Sequence, residues 1–203
     1  MTETCLPRRG KSTRSQRRDP RVTRYIALLR AINVGGHTVK MDHLRKLFES
    51  LGFSNVETFI ASGNVIFDSQ AEEARTLERK IENHLRESLG YDVATFVRSA
   101  SELAAIAGYR PFDPSDLDAE GKSLYIAFLQ ASPTTEAQEK LMTYRTEVDD
   151  FAVRGREVYW LCRKKMSESS FSGALLEKTM GTPATMRNAT TVKKLAAKYP
   201  ASA

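Results

Sequence analysis

The hydrophobic pattern of the first half of the chain predicts six elements in the order β-α-β-β-α-β. Residues 25–29 form an unbroken apolar run, which is typical of a strand buried on both faces. Apolar residues then recur with helical spacing, and Gly52 ends that predicted helix. Ser69 and Glu72 form a capping-box pattern that opens a second helix. The predicted strands after the first are residues 56–60, 65–67 and 93–97, and the apolar faces of the two helices are Leu44, Leu47, Phe48 and Leu51, and Leu77, Ile81, Leu85 and Leu89.

The second half of the chain repeats parts of this pattern. Residues 125–129 nearly copy residues 25–29, and Pro133 opens a predicted helix over about 134–145. Before them, Ser99 and Glu102 favour a short capped helix, and the Pro-containing stretch 109–121 reads as a loop. At a constant offset of 92, Val148 falls on Val56, Phe151 on Phe59, Gly155 on Gly63, Val158 on Ile66 and Tyr159 on Phe67.

These matches indicate an internal duplication. The predicted fold class is therefore α+β, with two ferredoxin-like halves of the β-α-β-β-α-β type, antiparallel sheets and helices on one face of each sheet. The predicted organisation is a leader over residues 1–22, a first half over 23–98, and a second half with a C-terminal helical segment over 99–203.

The net charge of +6 is unevenly distributed along the chain. Residues 1–22 carry seven Lys or Arg against two acids, and residues 161–203 carry eight against two. Residues 23–160 carry 16 basic and 21 acidic residues, so that part of the chain would not attract a polyanion by its net charge. The leader has almost no apolar residues to bury, and we expect it to be disordered.

The best-known catalytic and cofactor motifs are absent from the sequence. The Gly-Lys-Ser triplets at residues 10–12 and 121–123 lack the upstream glycine of a phosphate-binding loop. The three histidines have no Cys or acid at metal-ligand spacing, and no Gly-x-Ser-x-Gly elbow occurs. No metal and no cofactor are therefore predicted. The two cysteines, Cys5 and Cys162, could not build a disulfide framework, and no apolar run suits export or a membrane span, so the expected location is the cytoplasm.

Polar groups collect in two connections of the first half. Arg30, Asn33 and the backbone amides of Gly35 and Gly36 follow the first strand, in a connection longer than its counterpart in the second half. A Gly-Gly pair can present amides to an anion, but it can also simply form a tight turn. Ser62 and Asn64 flank Gly63 between two strands. Those three residues form either an ordinary hairpin turn or part of a binding site.

The C-terminal segment is the other candidate. Ser170 precedes a predicted helix that contains Lys178, and residues 185–191 are predicted to open the last helix. Hydroxyl groups, Arg187 and Asn188 would then converge at a helix N-terminus, as in a phosphate or carboxylate site. The alternative is plain capping of the helix by Asn188 or Thr190, with Arg187 exposed.

Three motifs in this order resemble the bacterial family catalogued as domain of unknown function 1697. They are residues 28–36, residues 62–64 and residues 185–188, and the resemblance covers roughly residues 23–199. It implies two ferredoxin-like halves and no particular activity, because the family has none assigned. It also implies that one set of positions is typical of the family: Arg30, Asn33, Gly35, Gly36, Ser62, Asn64, Ser170, Lys178, Arg187 and Asn188.

Three functions are compatible with these residues. The first is binding of a small anionic ligand, bearing a phosphate or a carboxylate, between the Gly-rich connection and the C-terminal segment. The second is an enzyme that acts on such a ligand in the same pocket, with His37 as the candidate base. The third is weak nucleic-acid binding through the basic termini, for which the basic stretches lack interleaved aromatic residues. We expect no membrane partner, and either a monomer or a homodimer.

Overall fold

A computed structural model describes residues 22–33, 36–60, 63–117 and 122–201 of the chain. These residues form an α+β structure with two four-stranded antiparallel sheets in two similar halves. The basic leader lies outside the described residues except for Val22. Among the helices that are described, none has both the length and the apolar composition to cross a bilayer.

The first half has the predicted order of elements, and its sheet has the strand order β2-β3-β1-β4. Its elements are β1 (Val22–Leu29), α1 (Met41–Ser50), β2 (Ser54–Phe59), β3 (Asn64–Gln70), α2 (Ala74–Leu89) and β4 (Thr95–Ser99).

The second half repeats that order after two helices that connect the sheets. Its sheet has the strand order β6-β7-β5-β8, which is the same arrangement as in the first half. The remaining elements are α3 (Ala100–Gly108), α4 (Pro114–Leu117), β5 (Ser123–Leu129), α5 (Thr135–Met142), β6 (Asp149–Arg154), β7 (Glu157–Cys162), α6 (Gly173–Met180), β8 (Ala184–Asn188) and α7 (Ala189–Lys198), with a short 3-10 turn at Met166–Glu168.

The central strands are buried on both faces, as their apolar runs predicted. Ala27 and Leu29 of β1 pack with α1 and α2 in an outer core, whereas Ile26 and Leu28 point to the opposite face. The same alternation in β5 sends Ile126 and its neighbour Phe128 to that inner face. The inner core therefore contains residues of both sheets, and α5 and α6 cover the outer face of the second sheet.

Helices lie on both faces of the sheets, which corrects the prediction of helices on one face. Buried residues of α3 and α7, such as Leu103 and Val192, belong to the inner core, and the two helices pack against each other. The predicted capping box at residues 69–72 is also wrong. Ser69 lies in β3, where it pairs with Thr23 of β1. The helix α2 begins later, after Glu73, whose side chain makes no capping hydrogen bond.

The C-terminal segment contains a strand that the sequence did not predict. Residues Ala184–Asn188 form β8, which pairs with β5 and completes the second sheet. The last helix begins at Ala189, within the predicted opening segment 185–191, and residues 184–188 before it belong to β8. Asn188 is its N-cap, and its side chain accepts the N–H of Thr190 at 2.8 Å.

The duplication is present, but its constant offset of 92 is wrong at the second hairpin. Ala27 pairs with Val65, and its counterpart Ala127 pairs with Val158, so Val158 corresponds to Val65 and not to Ile66. The offset is not constant either: it is 95 in β6, where Val153 matches Thr58, and 93 in β7, because residues 60–63 separate β2 from β3, whereas only residues 155–156 separate β6 from β7. The first hairpin thus carries two extra residues in its loop.

Candidate functional site

Two buried arginines occupy matching places on the last strands of the two sheets. Arg98 on β4 pairs with Ile26, and Arg187 on β8 pairs with Ile126. Each arginine comes directly before the N-cap of the following helix, which is Ser99 in one half and Asn188 in the other. Their exposed fractions are 1% and 9%. Because both face the inner core, each can reach the opposite half.

Arg187 crosses to the first half and is held there by several oxygens. Its Nε donates to Oδ1 of Asn64 at 2.7 Å, and its Nη2 donates to the carbonyl of Leu29 at 3.0 Å. Its Nη1 donates to Oγ1 of Thr185 at 2.8 Å and to the carbonyl of Met186 at 2.9 Å. Burial lowers the pKa of Arg187 to about 10, so the guanidinium still carries its charge at neutral pH.

Arg98 makes the reciprocal contacts in the second half. Its Nε donates to Oε1 of Glu157 at 2.6 Å, and its Nη2 donates to the carbonyl of Leu129 at 2.8 Å. Burial lowers the pKa of Arg98, and the adjacent Glu157 carboxylate partly opposes that shift. Glu157 begins β7 as Asn64 begins β3. The two places therefore share their geometry, but one has a carboxylate where the other has an amide.

A second pair of contacts also joins the halves. Arg30, directly after β1, forms a two-pronged ion pair with Glu177 of α6, with both N–O distances 2.8 Å. Glu177 also accepts the N–H of Ala184 at 2.8 Å. At the equivalent place in the second half, Gln130 donates to Glu82 of α2 at 2.7 Å. Arg30 thus stands where the other half has a neutral side chain.

The connection after β1 is held by internal contacts. Oδ1 of Asn33 accepts the N–H of Val39 at 2.7 Å, which closes the loop across six residues. The hydroxyl of Tyr91 donates to the carbonyl of Ile32 at 3.1 Å. The exposed ring of His37 stacks on Tyr91 with 3.9 Å between ring centroids. Gly36 has a φ of +89°, whereas Gly35 lies outside the described residues.

The hairpin loop between β2 and β3 contacts that connection and contains a strained residue. The N–H of Leu29 donates to the carbonyl of Gly63 at 2.8 Å. Ile60, which is 53% exposed, has a φ of +50°, a conformation that β-branched residues rarely adopt. Ala31, next to Arg30, also has a positive φ of 53°. Strain of this kind concentrates at functional sites.

The structure brings some of the predicted site residues together and separates others. Arg187 and Asn64 are in direct contact, and Arg30 is adjacent in sequence to Leu29, which Arg187 contacts. Ser170 and Lys178 are exposed, and within the described parts of the chain no hydrogen bond or ion pair joins them to those residues. Asn188 caps α7, as one of the two sequence interpretations predicted, but that interpretation also placed Arg187 at the surface, which is wrong because Arg187 is buried. Gly35 and Ser62 lie outside the described residues.

Several residues of these contacts were not singled out as site residues in the sequence. They are Glu177, Arg98, Glu157, Gln130 and Glu82. A signal for the arginines was present, because Arg98-Ser99-Ala100 and Arg187-Asn188-Ala189 both place an arginine before an N-cap and a small residue. Among the residues that the structure describes, no group of three or more His, Cys, Asp or Glu side chains is placed to hold a metal ion.

Comparison with known proteins shows relatives of unknown function. A family model described as "Protein of unknown function (DUF1697)" matches residues 22–159. A solved structure, the conserved bacterial protein SP0830 from Streptococcus pneumoniae, superposes with a TM-score of 0.68 at 23% sequence identity. The match covers 88% of this chain and 98% of that one, so the two share a fold. No curated protein matches the chain.

Proposed function

The chain belongs to this family of unknown function, and we propose that it binds a small anionic ligand, bearing a phosphate or a carboxylate, beside Arg187. The ligand would lie between the connection after β1 and the C-terminal segment. One observation carries the proposal: Asn64 holds Arg187 at the place where Glu157 holds Arg98. The duplicated fold thus balances one guanidinium with a carboxylate and sets a neutral amide against the other.

The charged groups around Arg98 and Arg187 also favour an anion beside Arg187. Arg98 has Glu157 at 2.6 Å and the carboxylate of the buried Glu78 at 3.9 Å. Near Arg187, the chain adds the guanidinium of Arg30 together with its partner Glu177, whereas at the equivalent position of the other half the neutral Gln130 binds the carboxylate of Glu82. Guanidinium groups bind carboxylate and phosphate oxygens through charge-assisted hydrogen bonds. An anion is therefore favoured more strongly on the Arg187 side than on the Arg98 side.

The backbone on this side also favours a site. Ala31 and Ile60 have positive φ angles, and they lie in the two loops that meet near Leu29 and Gly63. The hairpin loop has two residues more than its counterpart in the second half. Extra length and backbone strain in loops on a rigid scaffold are typical of binding sites.

The test is Asn64→Asp, which gives the Arg187 side the carboxylate that the Arg98 side already has. Binding of inorganic phosphate, sugar phosphates and small carboxylates is first screened by thermal shift and then measured by titration calorimetry. We expect Asn64→Asp to weaken binding of the best anion at least tenfold, because the new carboxylate competes for Arg187. The substitution also loses the bond from Asn64 to the carbonyl of Phe59, so a melting curve must show that the variant is folded.

The matched control is Glu157→Gln at the equivalent place in the other half. We expect it to leave the anion affinity of the Arg187 side within about twofold, because it acts on Arg98 and not on Arg187, and a melting curve must show that this variant too is folded. Equal affinities for the wild type and a folded Asn64→Asp variant would refute the proposal. So would the absence of saturable binding of any tested anion.

We also propose a fold type, a boundary between the halves and a location for the protein. We describe each half as ferredoxin-like because its order is β-α-β-β-α-β with the strand order β2-β3-β1-β4 or its equivalent. We divide the halves at residues 98 and 99, one residue before β4 ends at Ser99 and α3 begins at Ala100. Residence in the cytoplasm rests on composition alone. We extend the proposal to no reaction, because His37 stacks on Tyr91 and Glu177 is bound to Arg30.

A further inference from the structure

A cavity lies on the Arg98 side of the molecule. Its volume is about 420 Å³, and α3, the start of β7, Ser132 and the hairpin residue Gly155 surround it. This volume is in the range of pockets that hold small organic molecules. The cavity occupies the part of the second half that corresponds to the proposed anion site in the first, but its lining is different.

The floor of this cavity is apolar and partly aromatic. Ala105 and Ile106 of α3 and Tyr159 line it, and of these Ala105 is exposed whereas Ile106 and Tyr159 are 7% and 1% exposed. The hydroxyl of Tyr159 donates to the carbonyl of Ile106 at 3.3 Å, so it is not free to donate to a ligand. Tyr109 meets Tyr159 edge to face at 5.0 Å between ring centroids. These surfaces suit a flat, apolar ligand.

The rim of the cavity carries three arginines, of which two form ion pairs with glutamates and one, among the described residues, does not. Of its three arginines, Arg98 is paired with Glu157 at 2.6 Å and Arg156 with Glu102 at 3.2 Å. The third is the exposed Arg154, whose guanidinium lies over the ring of Tyr109, 4.6 Å from its centroid. No carboxylate of the described residues lies within 4.0 Å of Arg154.

We propose that this cavity is a second binding site, selective for aromatic compounds that carry a single acidic group. The aromatic ring lies against the exposed Ala105, over Ile106, and the carboxylate or sulfonate binds the guanidinium of Arg154. The two internal ion pairs leave one net positive charge at the rim, which matches one acid and not the multiple charges of a phosphate ester. The site is independent of Asn64 and Arg187.

The test uses the fluorescent dye 1-anilinonaphthalene-8-sulfonate, a monoanionic aromatic sulfonate, titrated into the full chain. Ala105→Leu fills the cavity from an exposed helix position, and Ala104→Leu adds the same side chain to an exposed neighbour that does not line it. We expect saturable binding of one dye per chain, weakened at least tenfold by Ala105→Leu and unchanged by Ala104→Leu. Arg154→Gln should also weaken binding about tenfold, and added benzoate should displace the dye.

Three results would overturn the proposal. The first is the absence of saturable binding in a protein whose near-ultraviolet circular dichroism shows a folded core. The second is equal binding by the two leucine variants. The third is a folded Asn64→Asp variant that loses the dye, because the dye would then occupy the anion site on the other side. Unchanged dye affinity in Arg154→Gln would also contradict the proposal, because the acidic group would then not bind Arg154.

Discussion

One buried arginine of each half makes hydrogen bonds to the other half. A buried arginine is costly unless its N–H groups find acceptors, and both Arg98 and Arg187 find theirs across the inner core. The carbonyls that they bind belong to Leu29 and Leu129, the last residues of the two central strands. These bonds tie the end of each central strand to the last strand of the other sheet.

Gly63 tests how tightly the hairpin loop packs against the connection after β1. A Cβ atom at Gly63 would stand 2.8 Å from Cγ2 of Ile32 and 3.1 Å from Cβ of Leu29, in a residue with φ of +73°. We expect Gly63→Ala to lower the free energy of unfolding by about 2–4 kcal/mol, through strain and overpacking. Gly52 has a φ of +84° but no atom near the added Cβ, so Gly52→Ala should cost only about 1–2 kcal/mol. Urea unfolding compares the two, and equal costs would contradict the close packing.

Glu78 gives stability a pH dependence of a definite sign. Its carboxylate is fully buried and accepts the N–H of Val97, and burial raises its pKa by more than Arg75, Arg98 and Arg156 lower it. The folded state therefore favours the protonated form. Its contribution to stability is fully present below the pKa of an unfolded glutamate, and it is lost as pH rises through the raised pKa.

Glu78→Gln removes this titration while keeping an oxygen for Val97. We expect the wild type to lose stability relative to Glu78→Gln as the pH rises from about 4 to about 7, because only the wild type must bury a charge there. Urea unfolding at several pH values measures the difference. Glu87→Gln, at an exposed position of the same helix, should show no such trend. A difference between wild type and Glu78→Gln that grows in the opposite direction would contradict the assignment.

Glutamate side chains of two helices bind backbone N–H groups on one edge strand of each sheet. β4 and β8 are edge strands, and such strands can pair with other chains through their free N–H groups. Glu82 accepts the N–H of Thr95, and Glu177 accepts the N–H of Ala184. These glutamates of α2 and α6 thus occupy the groups that another strand would need. The arrangement works against joining of chains through β4 or β8.

Removing one such glutamate should open its edge. Glu82→Ala leaves the N–H of Thr95 without its acceptor and removes one of the two acceptors of Gln130, so we expect a loss of about 1–3 kcal/mol in stability. Hydrogen exchange at Thr95 should accelerate at least tenfold relative to amides at the centre of the sheet. Glu87→Ala is the matched control on the same helix. Unchanged exchange at Thr95 would show that Glu82 does not protect the edge.

Elements with a strong local pattern could be predicted from the sequence, and those defined by pairing could not. The run in β1 is apolar at every position of its buried part, which sufficed to identify a strand buried on both faces. β8 reads Ala-Thr-Met-Arg-Asn, which has neither a run nor a clean alternation, and it becomes a strand because it pairs with β5. The capping-box pattern at residues 69–72 failed for the same reason, since Ser69 pairs with Thr23.

The candidate site shows the same limit. The motifs placed Arg187 and Asn64 in one group, and they are in contact. Contacts across the halves, such as Arg30 with Glu177 and Arg187 with the carbonyl of Leu29, follow from how the two sheets pack. Sequence spacing carries no information about that packing, because the contacting residues are more than a hundred positions apart in the chain.

The two halves share one inner core at the scale of the whole molecule. Ile26 and Phe96 of the first sheet and Phe128 and Tyr159 of the second belong to the same buried cluster. Neither half can bury these residues alone. The halves are therefore related by duplication but depend on each other for their cores.

Thermal unfolding should consequently be a single transition. We expect the calorimetric and van 't Hoff enthalpies of the full chain to agree, because separating the halves would expose the inner core. Differential scanning calorimetry measures both enthalpies. Two resolved transitions, or a van 't Hoff enthalpy near half the calorimetric value, would mean that the halves unfold independently.

The crossing arginines also impose an order on biosynthesis. Arg187 emerges about ninety residues after Arg98, which at ribosomal rates of about 5–20 residues per second is a delay on the order of ten seconds. During that interval the first half of the nascent chain already has its own strands, but the carbonyl of Leu29 and the amide of Asn64 still lack Arg187. The N-terminal sheet must then wait on the ribosome with its inner face uncovered. Translation speed through the second half therefore sets how long that face is open to chaperones or to misassembly with a neighbouring nascent chain.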